Sequence, residues 1–395
     1  MHRKKIIISA PTITIGGLGS YLVTLVRGLT SRGWSVHLLT IKRGDLYKKL
    51  KESVTCHDIS GISLSRKNVI AVADLLNEIA PEILLLNHLP LVHYSLPLLR
   101  SNIKTVAVLH SDDPRFYRIA TLFSERIFRW IAPTPGVADR CADFLSPALF
   151  KRMRVIPHGV RQDVFCLGSR DRRGAARKIS FVGFLGENKG VGLLPDIILR
   201  VAGNCPEVRL SLIGDGPQRL HLEQQFREAG LLDRCEFVGA VSPDTVAYHL
   251  RETDIFLLPT KLEGFGLTIV EAMLSGAVPV VSRLQGITDS IVDDGVTGFL
   301  VEPDDVSGFS SAIIQLVQNP VQLQSMSEAA RETALRKYSA DRMIDVYEAL
   351  FAEDDDRERA PCRGTLGWGI EMLGEVISRG IDRKWLISKV LENWK

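Results

Sequence analysis

Two glutamates, Glu263 and Glu271, lie eight positions apart around a pair of glycines, in the stretch E-G-F-G-L-T-I-V-E. A carboxylate accepts two hydrogen bonds side by side, so each glutamate suits a pair of neighbouring hydroxyls, one on a sugar ring and the other on a ribose. A helix that begins near Gly266 would direct its free N–H groups at an anion such as a diphosphate. The alternative is an ordinary strand, loop and helix with two solvated glutamates. We favour a ligand site because the stretch follows an apolar run, 255–258, and ligands bind beyond the carboxyl ends of strands in open α/β sheets.

The stretch 263–271 resembles the donor-site signature of the retaining glycosyltransferases of family 4, group 1, in which two glutamates are separated by seven residues in an E-G-F-G context. The resemblance extends over about residues 5–352. It implies the GT-B fold, an α/β architecture of two Rossmann-like domains whose parallel sheets face each other across a cleft. It also implies that Glu263 is a catalytic-site residue on the donor sugar and that Glu271 holds the ribose. The other donor-binding residues that it implies here are Phe265, Gly266, Leu267 and Thr268.

A second glycine-rich segment, Gly16-Gly17-Leu18-Gly19, follows the first apolar run and precedes a helix predicted from Ser20. It matches the N-terminal loop that reaches toward the donor phosphate in this family, so Gly16 and Gly17 are predicted to bind the donor. Taken alone, the segment is also typical of a tight turn. Val241, which follows the apolar run 236–238, matches the segment whose backbone faces the nucleobase.

The segment 181–190 matches the phosphate-binding stretch of the family, and Lys189 aligns with the lysine that neutralises the pyrophosphate. Phe184 stands where the family usually has an arginine. We therefore expect either that another cation substitutes, with Arg283 and Lys261 as candidates, or that turnover is slower than in relatives. The alternative for Lys189 is an ordinary solvated lysine.

Two histidines follow apolar runs in the first half of the chain. His110 comes after the run 105–109, where the family places a histidine against the donor sugar, and we predict that it is catalytic. Its alternative is a core histidine that is hydrogen-bonded to Asp112 or Asp113. His158 lies in a turn where relatives often carry Asn, and we predict a structural role for it.

Short apolar runs alternate with amphipathic segments in both halves of the chain, which predicts two parallel sheets covered by helices. The predicted strands are 5–9, 36–40, 83–86, 105–109 and 155–156, then 179–182, 210–213, 236–238, 255–258 and 278–282. We predict an N-terminal acceptor-side domain over 1–168, a linker over 169–178, a C-terminal nucleotide-sugar-binding domain over 179–338, a closing helix over 339–352 that packs back toward the first domain, and a helical extension over 353–395.

Composition narrows the class of protein. The 49 basic residues nearly balance the 46 acidic ones, and the net charge of +3 gives no reason to expect nucleic acid. The six cysteines contain no C-x-x-C pair, which argues against a zinc site and a disulfide framework and favours a reducing, cytoplasmic compartment. No Asp-x-Asp lies between a strand and a glycine-rich turn, so we predict neither a metal nor a cofactor. The apolar run after Met1 is far too short for a spanning helix, which leaves peripheral contact with the inner face of a membrane as the expectation.

A basic helix is one candidate for such contact. If residues 115–130 form one helix, Arg115, Arg118, Arg126 and Arg129 share a face. A basic amphipathic helix suits an anionic membrane surface and a lipid-linked acceptor. The alternative is an ordinary surface helix.

The predicted function is metal-independent transfer of a sugar, with retention, from a UDP- or GDP-linked donor to a hydroxyl of a carbohydrate or lipid-linked acceptor, in polysaccharide or glycolipid synthesis. A sugar-nucleotide epimerase of the same fold and a catalytically weak scaffold subunit are the alternatives, and Phe184 favours the second. A dinucleotide-dependent oxidoreductase is disfavoured because the first glycine loop lacks G-x-G-x-x-G spacing and because no acidic residue was found after the second predicted strand.

Overall fold

The computed structural model of the chain describes residues 3–166, 178–355 and 357. These residues form two sheets, and every strand pair in them is parallel. The predicted GT-B architecture of two facing α/β domains is confirmed. The linker over 169–178 and the extension over 353–395 fall outside the described residues, apart from Lys178, 353–355 and Arg357.

The N-terminal sheet has seven strands among the described residues, in the order β3-β2-β1-β4-β5-β6-β7. The strands are Lys5–Thr12 (β1), Ser35–Lys42 (β2), Thr55–Asp58 (β3), Ile83–Leu86 (β4), Lys104–Val108 (β5), Arg129–Ala132 (β6) and Met153–Val155 (β7). The helices are Gly17–Ser31 (α1), Tyr47–Lys51 (α2), Arg66–Ile79 (α3), Pro90–Ser95 (α4), Pro114–Ala120 (α5), Pro135–Cys141 (α6), Pro147–Phe150 (α7) and Gln162–Phe165 (α8). The central strands are buried on both faces, which explains their continuous apolar runs.

The C-terminal sheet has six strands in the described part of the chain, in the order β10-β9-β8-β11-β12-β13. The strands are Lys178–Val182 (β8), Arg209–Ile213 (β9), Cys235–Gly239 (β10), Ile255–Leu258 (β11), Val278–Ser282 (β12) and Phe299–Val301 (β13). The helices are Leu194–Asn204 (α9), Arg219–Glu228 (α10), Pro243–Glu252 (α11), Leu267–Leu274 (α12), Val306–Gln318 (α13), Pro320–Lys337 (α14) and Ala340–Ala352 (α15).

In both sheets the strand order reverses beside the first strand. β1 lies between β2 and β4, and β8 lies between β9 and β11. The loops after such neighbouring strands diverge to opposite faces of the sheet and leave a crevice beyond the carboxyl ends. The strand order alone therefore predicts crevices beside the loops after β1 and β4 and beside the loops after β8 and β11.

The last described helix, α15, packs against α1 of the N-terminal domain. The hydroxyls of Tyr21 and Tyr347 lie 2.9 Å apart in the core, and Arg32 pairs with Asp345 at 2.5 Å. Gly28 has no room for a side chain, because a Cβ there would lie 2.5 Å from the side chain of Ile344. This packing returns the chain to the first domain after the second sheet is complete.

The single helix expected over 115–130 is wrong. α5 ends at Ala120, and Phe123 has a left-handed backbone (φ 50°) that breaks the helical path. The apolar residues that follow enter the sheet as β6, so Arg129 is only 5% exposed and its Nε donates to Glu353 at 2.8 Å. Of the four arginines, only Arg115 and Arg118 lie on α5.

None of the helices within the described ranges is long and apolar enough to cross a bilayer.

Candidate functional site

An interdomain cleft of about 430 Å³ lies beyond the carboxyl ends of the two sheets. It is bordered on one side by the loops after β1 and β2, and on the other by loops that follow β8, β9, β10 and β11. The structure brings most of the predicted site residues to this cleft, whereas His110 and Phe265 do not line it. Those that do are Gly16, Gly17, Lys189, Val241, Glu263, Gly266, Leu267, Thr268 and Glu271.

The loop after β11 is held by the segment that carries Lys189. The backbone N–H of Lys261 and the hydroxyl of Thr260 both donate to the carbonyl of Asn188, at 2.8 and 3.1 Å. Gly190 is required for this approach, because a Cβ at this position would lie 1.8 Å from the carbonyl oxygen of Pro259. Two segments about seventy positions apart in sequence are thereby fixed side by side.

Lys189 and Glu263 form an ion pair at the cleft, between the ammonium Nζ and the carboxylate Oε1. Their side chains are 20% and 11% exposed. Lys189, which is predicted to bind phosphate, and Glu263, which is predicted to bind the donor sugar, are therefore in direct contact. The charge of each is balanced by the other.

Glu271 lies on α12, which begins directly after Gly266 in a left-handed conformation (φ 100°). The side chain is 6% exposed, and burial raises the pKa of its carboxyl to about 7. Within the described residues no group donates a hydrogen bond to this carboxylate. Because a buried carboxylate without partners is costly, Glu271 is suited to hydroxyl donors that a ligand supplies.

The N-terminal side of the cleft is formed mainly by turns, and Asp45 is its one charged side chain among the described residues. Gly16 has a φ of 141°, which an L side chain rarely adopts, and a Cβ on Gly44 would lie 2.2 Å from the carbonyl oxygen of Ile13. This close approach brings Asp45 to the cleft, where it is exposed.

Asp45 was missed in the sequence. β2 ends at Lys42, two residues beyond its predicted end, and Asp45 follows three residues later. The statement that no acidic residue follows the second strand is therefore wrong. The glycine spacing of the first loop is the argument that remains against a dinucleotide site. The pair Gly44-Asp45, an acidic residue after a glycine near a strand end, was the sequence signal that could have identified Asp45.

His110 belongs to a partly buried chain of hydrogen bonds. The amide nitrogen of Asn87 donates to the carbonyl of Ser9 at 3.0 Å, so its amide oxygen accepts from Nε2 of His110 at 2.7 Å. Nδ1 of His110 then accepts from Nε2 of His158 at 3.3 Å. Burial lowers the pKa of both histidines, that of His158 to about 3. The ring nitrogens of His110 are thus hydrogen-bonded within the protein, as the alternative expected, but their partners are Asn87 and His158 rather than Asp112 or Asp113.

The backbone of His110 contacts the E-G-F-G loop, residues 263–266. A Cβ on Gly264 would lie 2.2 Å from the carbonyl oxygen of His110, so the E-G-F-G loop rests directly on the end of β5. Phe265 is 4% exposed and packs against the rings of His158 and Tyr338, with centroids 5.4 and 5.7 Å apart. The structure thus places Phe265 in the core between the domains.

Phe184 lines the cleft and is 57% exposed. The two cations expected to replace the missing arginine do not line the cleft. Arg283 pairs with Asp294 at 2.5 Å and lies 3.3 Å from Glu302. Lys261 pairs with Asp304 at 2.6 Å. Among the residues that the structure describes, Lys189 is the one cationic side chain that lines the cleft.

Each of the two domains matches a known protein family. Residues 15–164 match the family described as Glycosyltransferase Family 4, and residues 169–333 match the family described as Glycosyl transferases group 1. The chain belongs to the group 1 glycosyltransferases. The predicted family and enzyme class of this glycosyltransferase are confirmed, and it uses nucleotide-sugar donors as the group does.

Curated relatives of this glycosyltransferase act on several acceptors. N-acetyl-alpha-D-glucosaminyl L-malate synthase of Bacillus anthracis is 24% identical over 366 residues, which are 86% of this chain and 94% of the relative. D-inositol 3-phosphate glycosyltransferase of Mycolicibacterium smegmatis is 32% identical over 225 residues, which are 53% of this chain and 50% of the relative. The chain therefore spans nearly all of the first relative and half of the second.

Solved structures share the fold of this glycosyltransferase. A TarM variant of S. aureus, in complex with Fondaparinux, alpha-GlcNAc-glycerol and UDP, superimposes with a TM-score of 0.76 over 89% of this chain and all of that chain, at 12% identity. HepE of Anabaena in complex with UDP-glucose has a TM-score of 0.75 over 88% of this chain and all of that chain, at 19% identity.

Proposed function

We propose that this glycosyltransferase transfers a sugar from a nucleotide-sugar donor to an acceptor hydroxyl with retention of configuration and without a metal ion. The observation that carries the proposal is the buried, unpartnered carboxylate of Glu271, which lines the same cleft as the Lys189–Glu263 pair. A ribose, a diphosphate and a sugar ring match these three groups in chemistry. UDP is the first nucleotide to test, because structural neighbours were solved with UDP or UDP-glucose.

Each part of the donor has its own binding group in this proposal. The ribose hydroxyls donate to the carboxylate of Glu271. The diphosphate lies at the free N–H groups of Gly266, Leu267 and Thr268 at the start of α12, with Lys189 as its cation. The sugar hydroxyls donate to Glu263, and the nucleobase lies along the backbone near Val241.

The transfer itself requires few protein groups. The bond between the anomeric carbon and the β-phosphate oxygen breaks while the acceptor oxygen bonds to the same face of the carbon. The departing phosphate oxygen takes the acceptor proton, so no protein nucleophile is required. Lys189 and the N–H groups of α12 stabilise the charge that develops on the β-phosphate.

The acceptor is expected to bind on the N-terminal side of the cleft. Its turns, with Ser20 and Asp45 as polar side chains, offer hydrogen-bond partners for a hydroxyl-bearing molecule. A carbohydrate or lipid-linked acceptor in polysaccharide or glycolipid synthesis fits this surface. The proposed domain limits accordingly assign the acceptor to residues 1–168 and the donor to residues 179–338.

The test is a panel of UDP-, GDP- and ADP-linked sugars, measured first by thermal stabilisation, because a ligand that binds only the folded protein raises the melting temperature. We expect stabilisation by one nucleotide class, donor turnover that EDTA leaves unchanged, and a product whose anomeric configuration is that of the donor by NMR. Release of a free epimerised sugar would favour the epimerase instead. Binding without any turnover would favour a scaffold subunit, the alternative that Phe184 suggests.

A further inference from the structure

The charges that line the interdomain cleft are unbalanced for a site that binds a diphosphate. In the described part of the chain, the cleft has a single cationic side chain, Lys189. Its acidic side chains are Asp45, Asp215, Glu263 and Glu271. A dianionic diphosphate in this cleft therefore depends on Lys189 and on the N–H groups at the start of α12 for its attraction.

Lys189 is not available as a free charge. Its ammonium is paired with Glu263, and the two backbones are fixed against each other by the contacts of Asn188 and Gly190 with the loop after β11. Both side chains are mostly buried, so water solvates them poorly once they are separated. A diphosphate that recruits Lys189 leaves a carboxylate without its counter-ion.

We propose that Glu263 is a built-in competitor for Lys189, so that the enzyme binds the intact donor in preference to the nucleoside diphosphate that remains after transfer. The inference rests on the proposed function. When the intact donor binds, its sugar hydroxyls hydrogen-bond to Glu263 while the diphosphate takes Lys189. When the sugar has left, Glu263 has no donor groups and recaptures the ammonium, which weakens the hold on the product and favours its release.

Glu263 would thus have two roles at one position. It binds the donor sugar, and it sets the affinity for the product through Lys189. Loss of the sugar contact alone would lower the affinity for the donor and leave the affinity for the nucleoside diphosphate unchanged. Loss of the competition would raise the affinity for the nucleoside diphosphate. The two roles are therefore distinguished by which of the two affinities changes.

The experiment measures the dissociation constants of UDP and UDP-glucose by isothermal titration, with GDP and GDP-mannose used if the wild type binds no uridine nucleotide. Glu263→Gln removes the charge with little change of shape. We expect it to bind UDP about five- to tenfold more tightly than the wild type, and to bind the sugar nucleotide no more tightly than UDP. Asp215→Asn is the matched control, because Asp215 lines the same cleft but lies 3.7 Å from Arg219 rather than at Lys189.

A double-mutant cycle with Lys189→Met isolates the competition from the general field of the cleft. Lys189→Met alone should weaken the binding of UDP. In the Lys189→Met background, Glu263→Gln should change the affinity for UDP by less than about twofold. The inference is overturned if Glu263→Gln leaves UDP affinity unchanged or weakens it, if Asp215→Asn tightens UDP equally, or if the gain persists without Lys189. A wild type that binds no nucleoside diphosphate would instead overturn the proposed function.

Discussion

The two sides of the interdomain cleft differ in what they contribute. The C-terminal side carries the charged groups of Lys189, Asp215, Glu263 and Glu271, which lie in the segments that follow β8, β9 and β11. The N-terminal side contributes mainly the backbone of the turns after β1 and β2, where glycines allow close approach. In the proposed function, recognition of the donor is thus concentrated in side-chain chemistry on one domain, and the turns of the other domain form the surface for the acceptor.

The strongest test of this difference removes one carboxylate from each side. Glu271→Ala should weaken nucleoside diphosphate binding by about 100- to 1000-fold, because two hydrogen bonds from the ribose to a buried charge are lost, at about 1.5–2 kcal/mol each. Asp45→Asn, on the N-terminal side, should change the same dissociation constant by less than about threefold, since an exposed single charge contributes little. Isothermal titration measures both.

Circular dichroism of each variant checks that the fold is intact. Equal losses of affinity in the two variants would contradict the concentration of donor recognition on the C-terminal domain. A Glu271→Ala variant that binds every nucleoside diphosphate like the wild type would remove the ribose role altogether.

The second test uses the pH dependence that burial gives Glu271. Its folded-state pKa of about 7 lies above the ordinary value of 4.5, so the folded protein holds a proton that the unfolded chain has lost between these two pH values. The contribution of this group to stability is therefore complete below pH 4.5 and falls as the pH rises to 7. Glu271→Gln, which does not titrate, should gain about 2–3 kcal/mol over the wild type between pH 4.5 and pH 8.

Urea unfolding of both proteins at pH 5 and pH 8 measures this gain as a difference of differences, which cancels groups that titrate in both. Asp215→Asn is again the control, because it removes an exposed carboxyl from the same cleft. A Glu271→Gln variant with the same pH dependence as the wild type would show that Glu271 is solvated in the free enzyme.

The contrast between the two sides also explains what the sequence could predict. The donor residues near Glu263 and Glu271 are contiguous, follow a buried strand and share a helix start, so local rules suffice for them. The strands 255–258 and 278–282 are found within the predicted limits. β6 was mistaken for helix because Ile127 to Trp130 continues the apolar spacing of α5, although residues 121–128, with the left-handed Phe123 among them, separate the two elements.

Contacts between distant segments could not be predicted. The pairing of Lys189 with Glu263 depends on Gly190 fitting against Pro259, and the bonds of His110 depend on Asn87, which is 23 positions away. Arg283 and Lys261 were plausible substitutes for a cation only until their acidic partners were known. Residue type and spacing indicate which groups can do chemistry, but partners across the fold decide which of them are free to do it.

A third test addresses the arginines of the N-terminal domain. Arg129 pairs with Glu353 at 2.8 Å and is almost fully buried, whereas the side chain of Arg115 is 83% exposed. Arg129→Gln should lower the free energy of unfolding by about 2 kcal/mol, because the partly buried carboxylate of Glu353 loses its nearer cation and keeps Arg154 at 3.3 Å. Arg115→Gln should leave it close to the wild-type value. If the order of these two effects were reversed, Arg129 would be a surface residue after all.

The smallest effect is expected at the glycine turn on the N-terminal side, and it tests whether that side acts through backbone shape. A Cβ on Gly16 meets no atom within 4 Å, so Gly16→Ala is opposed only by its φ of 141°, a strain of about 1 kcal/mol. A Cβ on Gly17 would make an ordinary contact at 3.8 Å with Leu267, and its backbone is not left-handed, so Gly17→Ala should leave stability within about 0.5 kcal/mol of the wild type. Chemical unfolding of the two alanine variants compares backbone strain with side-chain bulk at adjacent positions. Equal losses would mean that space, not conformation, makes glycine necessary in this turn.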